Sequence, residues 1–542
     1  MTVLRLPGDI RERTVRDVLD ERAVSRAGHV ALIAPSLVHG GTVELTYAEL
    51  QAAAGELAAV FAAAGVGKGD RVAIMLDNHG AAEAHIAYHA SHRVGAINVP
   101  INARYVPREL RYVLGFVEPA AIVFAGRFAP VLGGLDDVLA GAVRLEIADE
   151  PALGTAYAAA IAAAADDPPD PVPLHEDDDA DWIFTSGTTG NPKAVAITHA
   201  QSVACGHQAG PPFLLEPDSV YQSFAPFFTS TGCHTNLLGC LVAGCTYVVE
   251  PEFHVDDTLA RMRRHGTTSI FLINTVMRLI FDRRGEDALA AGDFPALRRI
   301  CYGAQPGGPD LVRRILAVGD RMGVELVNIY GLTESGNAGL MLVPEDQHEA
   351  LRRIGPYGMS IGRTPFHPWV EYRVCDPEGA ELAPGELGEL WMREPSTMSR
   401  YVRAPEETAA VRRGDWVLTG DMCTTDDAGF VYYVDRRKQL IRRAGLNISS
   451  AEVESVLVEH PGVAEAAVVP IDDPVLGEDV RAVIVPSDDP PPVAEIQAFC
   501  RERLADYKVP TRVDFVDALP RNGMGRVVKG VLTGRSPAPG EP

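Results

Sequence analysis

The stretch WIFTSGTTGNPKAV, residues 182–195, places hydroxyl side chains, glycines and one lysine in a single short loop. The apolar run WIF precedes the loop and VAIT follows it, so we expect a turn between two strands. Glycines let the backbone approach an anion closely, and hydroxyls, backbone N–H groups and Lys193 would together surround a polyphosphate. The spacing differs from the Walker motif G-x-x-x-x-G-K-[ST], and a flexible surface turn is the alternative interpretation.

Composition indicates an ordinary globular protein with two or more domains. The chain has 542 residues, of which 46% are hydrophobic and 23% are charged, so it can bury large cores. The net charge of −24 argues against a nucleic-acid partner, because such binding is driven by basic surface. The N-terminal run MTVLRLPGDIRERTVRDVLDERA lacks the apolar stretch of a signal peptide. No apolar run of about eighteen residues occurs, and we expect no membrane partner.

The cysteines show neither a CxxC pair nor the spacing of metal ligands. There are eight of them: Cys205, Cys233, Cys240, Cys245, Cys301, Cys375, Cys423 and Cys500. We expect reduced thiols in the core of a cytoplasmic protein.

Alternating helical and strand patterns predict an α/β fold. The segment TYAELQAAAGELAAVFAAAGV has helical periodicity, and RVAIML and AINVP are short apolar strands. A smaller unit from about Lys438 has a helical pattern at SSAEVESVLVEH and strand patterns at VAEAAVVPI and RAVIVP. The acidic, proline-broken run DDPPDPVPLHEDDDAD, residues 166–181, is interpreted as a solvated connector without function. The tail TGRSPAPGEP is predicted to be disordered.

Three further motifs follow the opening loop: YGLTES, WVLTGD and DRRKQLIRRAGLNISSAEVE, at residues 330–335, 416–421 and 435–454. Glu334 is a hard oxygen ligand of the kind that Mg²⁺ needs beside a triphosphate. Tyr330 offers an aromatic face to a planar ligand. Asp421 is a carboxylate that can accept hydrogen bonds from hydroxyl groups, and Arg436 is a charged side chain in the last motif. Helix capping, packing and turn formation are the structural alternatives for Glu334, Tyr330 and Asp421.

In this order, the four motifs resemble the signatures of the adenylate-forming superfamily, which includes acyl-CoA synthetases, peptide-synthetase adenylation domains and firefly luciferase. The resemblance covers nearly the whole chain, and four ordered matches are far more specific than any one alone. It implies an α/β fold with a large N-terminal domain of layered sheets and helices, residues 1–437. A small, mobile α+β C-terminal domain, residues 438–542, would follow.

The resemblance also implies a set of binding residues. The phosphates are held by the opening loop, through Thr185, Ser186, Thr188, Thr189 and Lys193. The nucleotide and acyl pocket is bordered by Gly303, Ala304 and Gln305, with Tyr330, Asp421 and Arg436 at the nucleoside. The acid is enclosed by Phe228, Thr229, Gly303, Gly331 and Gly336. Thr333 contacts the α-phosphate, Glu334 holds Mg²⁺, and Gly445 leaves space for the pantetheine arm of coenzyme A.

In this superfamily, a carboxylate attacks the α-phosphate of ATP to give an acyl-adenylate and pyrophosphate, and a thiol then displaces AMP. The C-terminal domain rotates between the two steps about a hinge, which corresponds to Lys438. The expected ligands are therefore ATP or acyl-AMP, coenzyme A, Mg²⁺ and a small carboxylic acid.

Three positions depart from the common pattern of the superfamily. Thr229 replaces a histidine before the acyl pocket, and Ala194 replaces a glycine. The largest departure lies in LPRNGMGRVVKG, where Arg526 replaces the lysine that bridges the substrate carboxylate and the α-phosphate during adenylation. Arginine presents a planar fork where lysine presents a compact point charge, and Lys529, three residues later, is a poor substitute. We therefore expect slow adenylation, whereas thioester formation from acyl-AMP could remain intact.

We therefore expect an acyl-CoA ligase that is competent mainly in thioesterification, with a separate adenylating enzyme as the source of acyl-AMP. The alternatives are a complete ATP-dependent ligase, an enzyme that activates an unusual acid such as nitrite, and a catalytically silent nucleotide-binding regulator. The acid is not identified. Small residues near the expected pocket suggest room for a bulky acid, although glycines equally serve turns: Ser230, Gly232, Gly303, Ala304, Gly336, Ala338 and Gly339.

Overall fold

The structure is a computed structural model that describes residues 12–164, 169–185, 192–290, 294–303, 309–336, 339–354, 359–437, 439–444, 446–521 and 527–534. Strands and helices are numbered along the chain. All eight cysteines lie in these ranges and are free and buried, which confirms the expectation of core thiols. Among the described helices, none combines the length and the hydrophobicity needed to span a bilayer.

In the described part of the chain, nine strands form the first sheet, in the order β17-β15-β14-β13-β12-β10-β11-β1-β2. They are β1 (Val30–Pro35), β2 (Thr42–Thr46), β10 (Val220–Ser223), β11 (Thr246–Val249), β12 (Ser269–Ile273), β13 (Arg299–Gly303), β14 (Glu325–Gly331), β15 (Gly339–Leu342) and β17 (Thr364–Pro365). Strands β1 and β10 to β14 pair in parallel, whereas β2, β15 and β17 pair antiparallel. The centre of the sheet is therefore parallel.

A second sheet has eight strands among the described residues, in the order β20-β9-β8-β4-β3-β5-β6-β7. They are β3 (Arg71–Met75), β4 (Ile97–Pro100), β5 (Ala121–Ala125), β6 (Val143–Ile147), β7 (Thr155–Ala156), β8 (Asp179–Thr185), β9 (Lys193–Thr198) and β20 (Arg400–Tyr401). Strands β8 and β9, which flank the opening loop in the chain, pair antiparallel, which confirms the two predicted strands. Residues 186–191 between them lie outside the described residues.

Helices cover both faces of each sheet. They are α1 (Val15–Ser25), α2 (Tyr47–Ala63), α3 (Ala81–Arg93), α4 (Pro107–Val117), α5 (Ala129–Leu132), α6 (Tyr157–Ala163), α7 (His199–Phe213), α8 (Leu237–Ala243), α9 (Val255–His265), α10 (Asn274–Arg284), α11 (Asp287–Ala290), α12 (Pro309–Met322), α13 (Pro344–Arg352) and α14 (Pro405–Ala410). Successive residues of β3 face different cores, with Val72 and Ile74 on one side and Ala73 and Met75 on the other. The predicted α/β layering is therefore confirmed.

The remaining strands form two smaller sheets. The third sheet contains β16 (Ser360–Gly362), β18 (Glu371–Cys375), β19 (Gly388–Arg393), β21 (Arg412–Arg413), β22 (Trp416–Thr425) and β23 (Val431–Arg436). The fourth contains β24 (Ile441–Arg443), β25 (Leu446–Ile448), β26 (Val463–Asp473), β27 (Gly477–Pro486) and β28 (Arg512–Phe515), with α15 (Ser450–Leu457), α16 (Val493–Arg501) and α17 (Lys529–Leu532) nearby in the chain.

The C-terminal residues build a core of their own, in which Ile441, Val453 and Ile484 are fully buried. A small α+β unit after the large layered unit agrees with the predicted fold class. The exact boundary after residue 437 stays a prediction. Residues 535–542 of the tail lie outside the described residues.

The prediction of a solvated connector over residues 166–181 is wrong at its C-terminal end. Asp179 to Asp181 form the start of β8, and Asp181 is fully buried. The acidic composition concealed this strand, because Asp181 is stabilised by polar partners from distant parts of the chain rather than by water. Residues 165–168 lie outside the described residues.

Candidate active site

The C-terminal ends of two parallel strands form one wall of the candidate site. Strand β13 ends at Gly303, which lies opposite Ile329 of β14. The φ angle of Gly303 is +146°, and a Cβ atom there would lie 2.5 Å from the carbonyl oxygen of Ile329. Only glycine fits such a backbone so close to its neighbour. In α/β sheets, ligands bind beyond the carboxyl ends of the strands, which is where Gly303 and Tyr330 lie.

A short 3₁₀ turn, Thr333–Ser335, follows β14 and brings Glu334 to this wall. The Tyr401 hydroxyl donates a hydrogen bond of 2.8 Å to Glu334 Oε1. The Tyr401 ring also lies beneath Lys193, whose Nζ is 5.0 Å from the ring centroid. Lys193 and Glu334, which come from motifs far apart in the chain, therefore contact the same tyrosine, one at its ring and the other at its hydroxyl.

Strand pairing explains how Tyr401 reaches this position. Strand β20 pairs with β9, with Tyr401 opposite Val195, and β9 begins at Lys193. Lys193 in turn lies opposite Thr185 at the end of β8. Burial raises the pKa of the Tyr401 hydroxyl and the Glu334 carboxylate raises it further, so the hydroxyl remains a hydrogen-bond donor.

A second polar group contains Tyr330, Asp421 and Arg436. Asp421 in β22 lies opposite Arg436 in β23. The Tyr330 hydroxyl donates to Asp421 Oδ2 at 2.5 Å, and Arg436 Nε lies 2.6 Å from Asp421 Oδ1. Burial raises the pKa of Asp421, while Arg436 and the Tyr330 hydroxyl oppose this shift.

The Asp421 side chain is only 1% exposed. Ribose hydroxyls would therefore have to share its oxygen atoms with Tyr330 and Arg436 or displace one of them. The structure brings all three predicted nucleoside-binding residues together. Their role in binding stays a prediction.

The expected acid-binding side of the site contains a closely hydrogen-bonded turn. The Thr229 hydroxyl donates to the carbonyl of Pro226 at 2.7 Å and accepts from the backbone N–H of Gly232 at 3.1 Å. The Ser230 and Thr333 hydroxyls share a hydrogen bond of 2.9 Å. Phe228 is buried. Thr229 thus stabilises the turn with its hydroxyl, where the common pattern has a histidine.

Close packing explains several glycines that suggested room for a bulky acid. A Cβ atom at Gly232 would lie 2.2 Å from the carbonyl oxygen of Pro226, and one at Gly339 would lie 1.9 Å from that of Tyr330. Gly336 has a φ of +63° and would place a Cβ atom 2.5 Å from Ser396. These glycines are needed for backbone contacts, so their small size is no evidence for a large pocket.

Several predicted site residues lie outside the described residues. They are Ser186, Thr188, Thr189, Ala304, Gln305, Lys438, Gly445 and Arg526, together with Ala338 of the small-residue group. Lys529 is described, and its Nζ lies 2.7 Å from Glu454 Oε1 and 2.6 Å from the Ser450 hydroxyl. This lysine is therefore already paired within the C-terminal unit.

Comparison with known protein families agrees with this arrangement. The family described as "AMP-binding enzyme" matches residues 19–402, and "AMP-binding enzyme C-terminal domain" matches residues 452–526. The chain belongs to the AMP-binding enzyme family. It lies in the acyl-CoA ligase branch of the adenylate-forming superfamily, which confirms the resemblance seen in the four motifs.

Individual members of the AMP-binding enzyme family align over nearly their whole length. A feruloyl-CoA synthase of Amycolatopsis sp is 34% identical over 508 residues, covering 93% of this chain and 96% of the relative. The structure of the o-succinylbenzoate CoA synthetase of Bacillus subtilis, in complex with its acyl-adenylate intermediate, is 27% identical in sequence and gives a TM-score of 0.83. The match covers 96% of this chain and 98% of the synthetase. The same synthetase with ATP and a magnesium ion gives a TM-score of 0.82 at 27% identity, covering 96% and 99%.

The side chains of the candidate site suit the ligands of an AMP-binding enzyme. Mg²⁺ is usually bound through one or two carboxylates plus substrate phosphates, and Glu334 is a carboxylate that contacts the same tyrosine as Lys193. Asp421 offers carboxylate oxygens that sugar hydroxyls would share with Tyr330 and Arg436. The donor set therefore fits a nucleotide with its magnesium ion.

Sequence reasoning missed Tyr401 and the buried Asp181. Tyr401 lies in a two-residue strand with no recognisable motif, so its contact with Glu334 depends on the pairing of β20 with β9. Asp181 was concealed in the acidic run. The only available signal was its position four residues before Thr185, on the strand that enters the opening loop.

Proposed function

We propose that this chain is an acid–thiol ligase that transfers an acyl group from acyl-AMP to coenzyme A, and that its adenylation step is weak. The observation that carries the proposal is Arg526, at the position where family members that adenylate have a lysine. The pairing of Lys529 with Glu454 and Ser450 supports it, because a lysine held in this way is a poor replacement.

In the first step, a carboxylate oxygen of the acid bonds to the α-phosphorus of ATP, and the bond to pyrophosphate breaks. A cation that bridges the two reactants stabilises this transition state. Losing one well-aimed donor of this kind costs about 2.7–4 kcal/mol, or roughly 10²–10³ in rate. The wider, planar guanidinium of Arg526 should cause a loss of this order.

In the second step, the sulfur of coenzyme A bonds to the acyl carbon, and the carbon–oxygen bond to AMP breaks. Asp421, Arg436 and Tyr330 would hold the nucleoside during this exchange. Thr333, hydrogen-bonded to Ser230, would contact the α-phosphate. The rotation of the C-terminal domain about Lys438, which we propose for this chain as for its family, would move Arg526 away before the thiol attacks. This step therefore does not need a lysine at position 526.

A complete ATP-dependent ligase is the second candidate, and the Lys193–Tyr401–Glu334 arrangement favours it. A lysine and a metal-binding carboxylate suit a triphosphate with Mg²⁺, which takes part only in adenylation. When bound, Mg²⁺ would neutralise the charge of the triphosphate. Retention of this arrangement is the strongest argument that adenylation persists.

The deciding experiment measures the two half-reactions separately. Ferulic acid and o-succinylbenzoate, the acids named for the relatives, are the first candidates, each also supplied as its synthetic adenylate. Acyl-AMP with coenzyme A should give thioester and AMP, while ATP with the acid should give little pyrophosphate. Rapid pyrophosphate release would favour the complete ligase. No thioester from any adenylate that binds would contradict the ligase proposal.

A thermal-shift screen of acids and their adenylates precedes this experiment, because a ligand that prefers the native state raises the unfolding midpoint. We expect adenylates to stabilise the protein more than the corresponding acids. The adenylate contains the nucleoside that Asp421, Arg436 and Tyr330 would hold.

A further inference from the structure

A fully buried carboxylate lies behind the candidate site. Asp181 Oδ2 accepts hydrogen bonds from His234 Nε2 at 2.9 Å, the Ser202 hydroxyl at 3.0 Å and the Tyr88 hydroxyl at 3.3 Å. Asp181 Oδ1 accepts from the Asn98 amide at 2.9 Å. These partners come from four separate elements, so one carboxylate connects β8 to α3, β4, α7 and the segment before α8.

Two histidines oppose the effect of burial on this carboxyl group. Burial alone would raise its pKa, but His234 and then His92 hold the pKa of Asp181 well below its usual range. His234 is also fully buried, so the two side chains form a hydrogen-bonded pair away from water. Buried polar groups seldom add stability over well-packed apolar residues, because they lose their hydration. Their better-attested use is to specify one arrangement of the surrounding elements.

His234 lies in an unusual element. Residues Thr231–Asn236 form a π-helical turn, a rare structure that is frequently found at functional sites. Ser230, which shares a hydrogen bond with Thr333, immediately precedes this turn. Gly232 presses against Pro226 at the start of the turn. The hydrogen bond between His234 and Asp181 holds the turn from its other side.

Asp181 itself lies on the strand that enters the opening loop. Strand β8 ends four residues later at Thr185, opposite Lys193. The hydrogen bond from His234 therefore joins the strand of the proposed phosphate-binding loop to the turn that follows Ser230. Both side chains are fully buried.

We infer that Asp181 and His234 are positioning residues, which set the distance between the phosphate-loop strand and the Ser230–Thr333 wall of the site. The inference rests on the proposed function, because it assumes that the loop and the wall contact the same substrate. It assigns a role to a buried, hydrogen-bonded pair of side chains. A misplacement of about 1 Å at a reacting centre can cost roughly 10²-fold in rate.

The test compares substitutions that each remove one hydrogen bond to the same oxygen, Asp181 Oδ2. His234→Leu removes the bond to the π-helical turn, and Ser202→Ala removes a bond to α7. His234→Gln keeps an N–H donor of similar reach without the imidazole ring. Thioester formation from acyl-AMP is followed with coenzyme A, and hydrogen exchange is measured in the peptide spanning residues 226–238.

We expect His234→Leu to lower kcat by about 10-fold to 10²-fold, with the KM for coenzyme A unchanged, and to speed exchange in this peptide. Ser202→Ala should leave kcat and the exchange rate of this peptide near the wild-type values. His234→Gln should restore most of the rate, which also keeps the test decisive if His234→Leu does not fold.

Equal effects of His234→Leu and Ser202→Ala would overturn the inference, because the pair would then be a general packing element. An unchanged kcat in His234→Leu would overturn it as well. If the wild-type protein forms no thioester, the proposed function fails on its own. The exchange measurement then decides the positioning role without any activity.

Discussion

Replacing Tyr401 with phenylalanine removes one hydroxyl group and keeps the ring. The hydroxyl donates the 2.8 Å hydrogen bond to Glu334, and the ring lies 5.0 Å from the Lys193 ammonium. Phenylalanine preserves the ring under the lysine, so the substitution isolates the hydrogen bond to the carboxylate. That bond orients the side chain that we propose as the magnesium ligand.

Partners that orient a metal-binding side chain typically change metal affinity by about 10-fold to 100-fold when they are lost. A tenfold change corresponds to about 1.4 kcal/mol, close to the low end of about 1.5–3 kcal/mol for a hydrogen bond to a charged group. We therefore expect the Kd of Mg²⁺–ATP to rise about 10-fold or more in Tyr401→Phe. AMP should bind almost unchanged, because it lacks the outer phosphates.

Titration calorimetry with Mg²⁺–ATP and with AMP measures both affinities without knowledge of the acid. Tyr432→Phe is the matched control, because the Tyr432 hydroxyl also donates to a carboxylate, Asp426, at 3.1 Å outside the site. The reasoning is refuted if Tyr401→Phe weakens ATP and AMP equally, or if the affinity for Mg²⁺–ATP does not change.

Three further predictions concern the nucleoside, the hinge and acid stability. Asp421→Ala should weaken acyl-AMP binding by about 1.5–3 kcal/mol in calorimetry. Equal affinity in the wild type and the variant would mean that Asp421 has only a structural role in β22. Lys438→Pro fixes φ and should block domain rotation: thioester formation should fall while acyl-AMP affinity stays, and unchanged turnover would contradict the hinge. Burial, aided by His92, lowers the pKa of His199 to about 3. Below about pH 6.5 the unfolded state therefore binds more protons than the folded state, and the free energy of unfolding decreases as the pH falls. In urea unfolding, the free energy of unfolding of the wild type should fall by about 2 kcal/mol more than that of His199→Gln between about pH 7.5 and pH 5. A difference between the two proteins that does not change with pH would contradict this.

Elements with a strong local signal could be predicted from the sequence. Helix α2 has helical periodicity and a capping box in which Thr46 and Glu49 bond reciprocally at its start. Strand β3 is an apolar run between turns. In both cases the local pattern and the tertiary environment favour the same structure.

Those residues of the candidate site that belong to a sequence motif could be predicted. Tyr330, Asp421 and Arg436 were expected at one nucleoside, and the structure brings them together. Tyr401 and Asp181 were not found because their roles depend on strand pairing and on partners distant in the chain. Side chains of this kind carry no local pattern, and only the fold reveals their contacts.

The small residues near the expected pocket show a different limit of sequence reasoning. Glycine can make room for a ligand, or it can allow two backbones to approach. The sequence left both interpretations open, and a Cβ atom at Gly232 or Gly339 would collide with a backbone carbonyl oxygen. The distinction depends on neighbours that only the three-dimensional structure supplies.

The most direct test of the central claim compares the wild type with Arg526→Lys in both half-reactions, with one acid and its adenylate. If only the shape of the cation limits adenylation, the lysine variant should release pyrophosphate about 10² times faster or more. Thioester formation from acyl-AMP should stay within a few fold in both proteins. Fast pyrophosphate release by the wild type would contradict the claim, as would no gain in the variant once binding of ATP and acid is demonstrated.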